Sequence, residues 1–310
     1  MKKQRNSFLL ILTAFIWGTA FVAQSTGGDI VGPYTFNCIR FLIGGAVLLP
    51  AIRLLDALKL TKRRPKNKAE WRLLLLGGIA CGTVLAVSSN LQQMGIYMGS
   101  TAGKAGFLTS CYMLLVPVLG IFLHKKCGWN MWLGILIAVC GLYLLCIHGD
   151  FTLSFSDFLL LLCALSFAVH ILVIDYFAVL VDGVRMSCIQ FIVSGIFSAI
   201  PMVWVDMGHS LEGGSACVSA FADPYAWIPI LYAGVFSCGV AYTLQIIGQQ
   251  GVNPTIASLL MSLESVFSVL AGWVLLGEEL SGREILGCIL IFGAVVLAQL
   301  PLSENRRRVK

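Results

Sequence analysis

Residues 38–45 read CIRFLIGG and residues 188–195 read CIQFIVSG, a spacing of 150 positions. Cys38, Ile39, Phe41 and Gly45 recur as Cys188, Ile189, Phe191 and Gly195, while Arg40 gives way to Gln190. Two further echoes follow at a spacing of 153, Gly95 with Gly248 and Gly134 with Gly287. One half of the chain thus repeats the other, which predicts that a single structural unit is used twice.

The residues around these strings identify their solvent. Of 310 residues, 58% are hydrophobic and only 12% charged, and the mean hydropathy is +0.89. A soluble domain carries roughly a quarter charged residues, so this balance places the strings in a bilayer. A span needs about 20 mostly apolar residues. Ten segments qualify: 7–26, 33–54, 71–97, 101–123, 129–148, 156–176, 184–205, 224–249, 254–276 and 283–301. They leave almost nothing for a soluble domain. The first is not read as a cleavable signal, because no small-residue cleavage site ends it and the next span follows at once. The 11 cysteines lie almost all inside spans, only Cys127 and Cys217 falling in loops. Without CxxC or HxxxH spacing they read as small packing residues, so no metal or cofactor is expected.

Charge orients the spans. With the N-terminus inside, the inner segments collect 18 Lys and Arg residues, from Lys2, Lys3 and Arg5 through the 53–72 run to Arg306–Arg308 and Lys310. The outer segments collect Arg283 alone, while Arg40 and Lys104 lie within spans. This is the positive-inside pattern, with both termini cytoplasmic, and it makes the basic runs topology determinants rather than a nucleic-acid surface. The outer loops carry Asp29, Asp150, Asp206, Glu212, Asp223, Glu278, Glu279 and Glu284. The offset of 150 aligns spans 1–2 with 6–7, and the offset of 153 aligns spans 3–5 with 8–10. Because the unit has five spans, an odd number, the second copy enters the membrane from the opposite side. The expected fold is therefore an all-α integral membrane protein of ten transmembrane helices, two inverted five-helix repeats over 1–148 and 149–310. Inverted repeats place a pseudo-two-fold axis in the membrane plane, the arrangement that serves alternating access in transporters.

Polar residues inside such spans need a reason, since a charge near the bilayer centre costs about 2.5–3.5 kcal/mol on insertion scales. Glu264, near the middle of span 9, is a candidate coupling or substrate-sensing carboxyl; the alternative is a protonated side chain that hydrogen-bonds a neighbouring helix. Lys104, one turn into span 4, either pairs with Glu264 across the pseudo-axis or snorkels to the outer surface. Arg40, with Asn37 and Gly44 on its face, suits a helix contact or a cavity wall, the neutral Gln190 in the other repeat favouring the contact. His170 is an interhelical hydrogen bonder or a proton relay. Spans 3 and 8 carry matching amides, Asn90, Gln92 and Gln93 against Gln245, Gln249 and Gln250. Tyr242, Gln245 and Gln249 share one helix face, and amides either bind a solute of mixed polarity or join helices. Trp17 is too deep for an interfacial belt and lines a cavity or packs in the core. Small residues such as Gly44, Gly45, Gly78 and Gly82 predict close helix contact.

The stretch SSNLQQMGIYMGSTAGKAGFLTSCYMLLVPVLGIFL (88–123) resembles the third and fourth spans of the drug/metabolite transporter superfamily, in its EamA-type ten-helix branch. AFIWGTAFVAQ (14–24), GPYTFNCIRFLIGG (32–45), LLCALSFAVHILVIDYFA (161–178) and the segment 253–295 resemble it too. The resemblance implies ten helices, a central cavity between two five-helix halves, and export or exchange of small metabolites such as amino acids. Where the second repeat of that family usually reads Glu-Pro this chain has Glu264-Ser265, which predicts a straighter ninth span.

Together these readings point to a secondary transporter of the bacterial inner membrane, not an enzyme. It is expected to work as a monomer or homodimer on a small polar or amphipathic metabolite. No Walker, HExxH or GxSxG context supports an ATPase or a hydrolase. The rival is a lipid or lipid-carrier translocase of the same fold, which Arg40 and Lys104 would serve as a headgroup site.

Overall fold

The computed structural model describes residues 2–59, 61, 63–100, 102–125, 127–147, 154–208, 219–271, 273–274 and 281–299. Lys62, Lys126, Asp150, Glu212, Cys217, Glu278, Glu279 and the basic run from Arg306 lie outside the described residues. Everything described is helix or connection, with no strand among the described residues. The helices are α1 (Lys2–Val31), α2 (Pro33–Ala57), α3 (Lys68–Tyr97), α4 (Ala102–Ser110 and Tyr112–Phe122), α5 (Trp129–Cys146) and α6 (Phe155–Phe177). The rest are α7 (Gly183–Asp206), α8 (Pro224–Gly248), α9 (Pro254–Met261 and Glu264–Ala271) and α10 (Gly282–Gln299). Eight of them, α1–α4 and α6–α9, are long and apolar enough to cross a membrane, and α5 is a shorter apolar helix packed along α10.

Their starts follow from local chemistry. Pro33, Pro224 and Pro254 stand in first turns, where a missing N–H costs nothing. Asn67, Asp182, Asp223 and Asn253 each accept a hydrogen bond from a backbone N–H two or three residues on. Ser154 and Asp157 form a reciprocal capping box at α6.

The glycine echoes mark where the two halves meet. A Cβ built on Gly45 of α2 would approach the backbone oxygen of Cys188 on α7, and one on Gly195 of α7 would approach that of Cys38 on α2. The contacting residues are mates at the 150 offset, so each contact is the other seen from the opposite side, and α2 and α7 run antiparallel. Gly134 faces Ala294 on α10 while Gly287 faces Gly141 on α5, again reciprocal and antiparallel. Gly95 meets Ser156 and Leu160 on α6; its mate Gly248 meets Asn6 and Leu10 on α1, the mates of those residues. Whole-helix contacts obey the same exchange: α3 packs on α6 as α8 packs on α1, and α4 on α6 as α9 on α1. A two-fold operation that reverses helix direction has its axis perpendicular to the helices. The repeats are inverted, and the glycines are the points where backbones approach most closely across them.

Two departures from regular helix matter for the interior. Residues Tyr232–Tyr242 of α8 form a π-helix, whereas the matching part of α3 is regular. Gly82 and Gly234 occupy equivalent contacts, on Gln190 and Arg40 respectively, as do Gly95 and Gly248. Thirteen positions separate the first pair of glycines in α3 and fourteen the corresponding pair in α8, and the wider turn absorbs the extra residue. The second departure corrects an expectation. The ninth span is not straight despite lacking Pro after Glu264: it breaks at Ser262-Leu263, where Leu263 N bonds back only to Leu260 and Ser265 N only to Ser262. The break matches the one at Cys111 in α4, which is the repeat mate of Glu264.

Candidate functional site

At the crossing of α1, α2, α3, α4, α6, α8 and α9 the bundle holds a narrow polar cavity with about 30 Å³ of free volume, the space of roughly one water molecule. Its walls come in repeat-related pairs: Trp17 opposite Phe167, Phe21 opposite Ile171, and Gln92 opposite Gln245. The pseudo-axis therefore passes through the cavity. The Trp17 ring lies tilted by 58° against Tyr242, centroids 4.6 Å apart, and donates its indole N–H to the Ser237 carbonyl, 3.3 Å away in the π-helical stretch. Gln92 donates to the Thr109 hydroxyl at 3.3 Å.

Two charged side chains break this symmetry, one from each repeat. Arg40 is 2% exposed, and its guanidinium lies 5.0 Å from the Phe41 ring centroid and 5.4 Å from that of Phe36. Its Nε has no hydrogen-bond partner, and no carboxylate pairs with it among the described residues. Glu264 is 5% exposed and opens the second segment of α9, where the helix N-terminus favours negative charge. Tyr112 donates to its Oε1 at 3.3 Å. The buried amide oxygens of Gln24 and Gln245, both on the cavity wall, also lack partners.

Five sequence-derived candidates thus meet in one place: Trp17, Arg40, Tyr242, Gln245 and Glu264. The others lie elsewhere. Lys104 does not pair with Glu264. Its Nζ is 2.7 Å from Asp157 Oδ2, so it ties the start of α4 to the capping box of α6; a capping carboxylate in reach of the short lysine-bearing turn is the nearer counter-ion. His170 is fully buried behind Tyr242, with Nε2 3.3 Å from the Gln190 amide oxygen. Asn90 receives hydrogen bonds from Asn37 at 2.8 Å and Ser198 at 3.2 Å and joins α2, α3 and α7. Gln93 donates to the Gln24 carbonyl at 2.7 Å. Gln249 is buried one turn past the cavity wall, its amide without a partner. Phe21, Gln24, Thr109, Tyr112 and Ser237 line the cavity without standing out in the sequence. Hydroxyls and aromatics are common in spans, and nothing in the sequence sets these five apart.

Two antiparallel helical repeats around a polar, on-axis cavity define a multi-pass membrane protein of the transporter class. The EamA-like transporter family model matches twice, over residues 5–147 and 154–300, and the chain belongs to that family. It is 26% identical over 296 residues to an uncharacterized transporter of Archaeoglobus fulgidus, covering 94% of this chain and 84% of that one. It is also 26% identical over 314 residues to the uncharacterized transporter YwfM of Bacillus subtilis, covering 98% and 97%. A WAT1-related chloroplastic protein of Arabidopsis thaliana is 26% identical over 311 residues, 96% of this chain and 70% of its own. A solved crystal structure shares the fold, with TM-score 0.76 over 96% of each chain at 19% identity.

Proposed function

We propose that this transporter is a secondary carrier that exports or exchanges a small polar or amphipathic, amino-acid-like metabolite by alternating access. The observation that carries the reading is the coincidence of the pseudo-two-fold axis with the polar cavity. If the two inverted halves exchange conformations, the same side chains face first one side of the membrane and then the other. The solute needs donors, acceptors and apolar contact together, which is what Gln92, Gln245, Trp17 and Phe167 offer. The charge bias of 18 to 1 supports an inner-membrane orientation with both termini cytoplasmic, and the repeat offsets of 150 and 153 support two units spanning 1–148 and 149–310.

The test is a thermal-shift screen of the purified protein against a metabolite library, followed by flux of the hits in proteoliposomes. A transported solute stabilises the folded state by RT ln(1 + [L]/Kd), so the shift must grow with concentration. A lateral apolar groove of about 360 Å³, lined among others by Tyr34, Val87, Asn90 and Phe197, favours the lipid-translocase alternative. Against it, the described groove lining holds no cation and Lys104 is engaged by Asp157. Labelled lipid flip without any solute flux would select that alternative.

A further inference from the structure

We infer that the cavity reads its solute by charge at two separate points, with Arg40 as the anchor for a carboxylate and Glu264 as the acceptor for an ammonium. This rests on the transporter reading above and adds which residue recognises which group.

Little around Arg40 compensates its charge. A buried guanidinium is ordinarily paired or fully hydrogen-bonded, because an uncompensated charge in low dielectric is costly. Arg40 has aromatic faces beside it and neither an ion pair nor a hydrogen bond to its Nε among the described residues. Neighbouring rings offset a cation only in part. The guanidinium nevertheless borders the cavity, and its planar fork matches a carboxylate in a two-point contact.

Glu264 supplies the complement. It borders the same cavity but forms no salt bridge with Arg40. Tyr242 lines the same cavity as both. Side chains of opposite type thus border one small space without pairing with each other, and a solute that bears both groups meets each at its own end once the two halves part to admit it. Between them the wall is aromatic and apolar, from Trp17, Phe21 and Tyr242, while Gln245 presents an unpartnered amide oxygen.

The repeat supports a recognition role over a scaffold role. The scaffold contact at this level is kept by both halves: the backbone oxygens of Arg40 and of its mate Gln190 abut Gly234 and Gly82. Only the side chains differ. Gln190 turns to His170 away from the cavity, and Cys111 stands where the other repeat has Glu264. The helix packing needs neither charge. A solute held this way lies with a fixed polarity between the two repeats.

The experiment measures binding of the 20 standard L-amino acids to the purified protein by titration calorimetry. For the tightest binder it adds the amine lacking the carboxylate and the acid lacking the ammonium. Removing a charge-assisted hydrogen bond from a buried site weakens binding about 10- to 100-fold. Both truncated compounds should fall in that range on the wild-type chain. Arg40→Gln, which copies the other repeat, should bind the amino acid as weakly as the wild type binds the amine; Glu264→Gln should bind it as weakly as the wild type binds the acid. The acid binding as tightly as the amino acid would overturn the role of Glu264, and the amine doing so that of Arg40. The wild-type comparison stands even where a variant does not fold. If no amino acid binds while proteoliposomes carry a sugar or another neutral solute, this inference falls and the transporter reading survives. If labelled lipid alone moves, that reading falls as well.

Discussion

Replacing Lys104 by Met tests the corrected pairing of the deepest lysine. Its partner Asp157 has a fully buried side chain, whereas Lys104 keeps 22% of its side chain exposed. Removing one member of a buried pair costs about 3–5 kcal/mol, and an exposed pair contributes about 0–1 kcal/mol. This pair lies between those limits, because Asp157 retains its bonds from Ser154 N at 2.6 Å and Ser154 Oγ at 2.8 Å. The expected loss is therefore about 1–3 kcal/mol. A double-mutant cycle with Asp157→Asn, followed by reversible unfolding in mixed detergent, should give a coupling of about 1 kcal/mol or more. The parallel cycle of Lys104→Met with Glu264→Gln should be additive within about 0.5 kcal/mol. A larger coupling to Glu264 than to Asp157 would refute the assignment.

Further outcomes follow from the packing. Gly82→Leu should destabilise by about 1–3 kcal/mol in the same assay, because a Cβ there meets the Gln190 oxygen at 2.7 Å and Val193 at 2.7 Å. Gly293→Ala, with open space around it, should stay within about 0.5 kcal/mol. At the end of the bundle bearing the basic loop, Arg185 holds Asp56 at 2.6 Å; at the mate position Thr35 holds Asp206, with no cation among the described residues. The stability lost in Asp56→Asn should accordingly shrink in about 1 M salt, and that lost in Asp206→Asn should change less. Deleting Val240 should relax the wide turns of Tyr232–Tyr242 to α-helix and rotate Gln245 against Ser237 by about 100°. Circular dichroism should remain native while flux in proteoliposomes is abolished; retained flux would show that the extra residue does not shape the cavity.

How far the sequence could be read depended on how many structural meanings each residue allows. Gly45, Gly95, Gly134 and their mates have one main use in an apolar helix, close approach, so their echoes located the inter-repeat contacts. Arg40, Glu264 and Gln245 stood out because an apolar background makes any polar residue conspicuous. Lys104 was legible as a residue but not in its partner. Asp157 follows Ser154 by three and reads as a cap, and a capping carboxylate still has a free edge for a cation. The break before Glu264 carries no Pro or Gly at Ser262-Leu263 and shows only in backbone bonds that reach back three residues instead of four. The π-helical stretch was hidden for a different reason. One extra residue among fourteen leaves hydropathy unchanged, and it emerges only when Gly234 and Gly82 are known to touch equivalent partners.

If two inverted halves exchange conformations about the cavity, the two ends of the bundle move in opposite senses. Spin labels at Met98 and Phe155, just beyond α3 and on α6, report one end of the bundle; labels at their repeat mates Gly251 and Arg5, beyond α8 and on α1, report the other. Double electron–electron resonance in liposomes, with and without the bound solute, reads both distances. One should lengthen as the other shortens. Two distances that stay fixed, or that lengthen together, under conditions where the same liposomes carry flux would contradict the account.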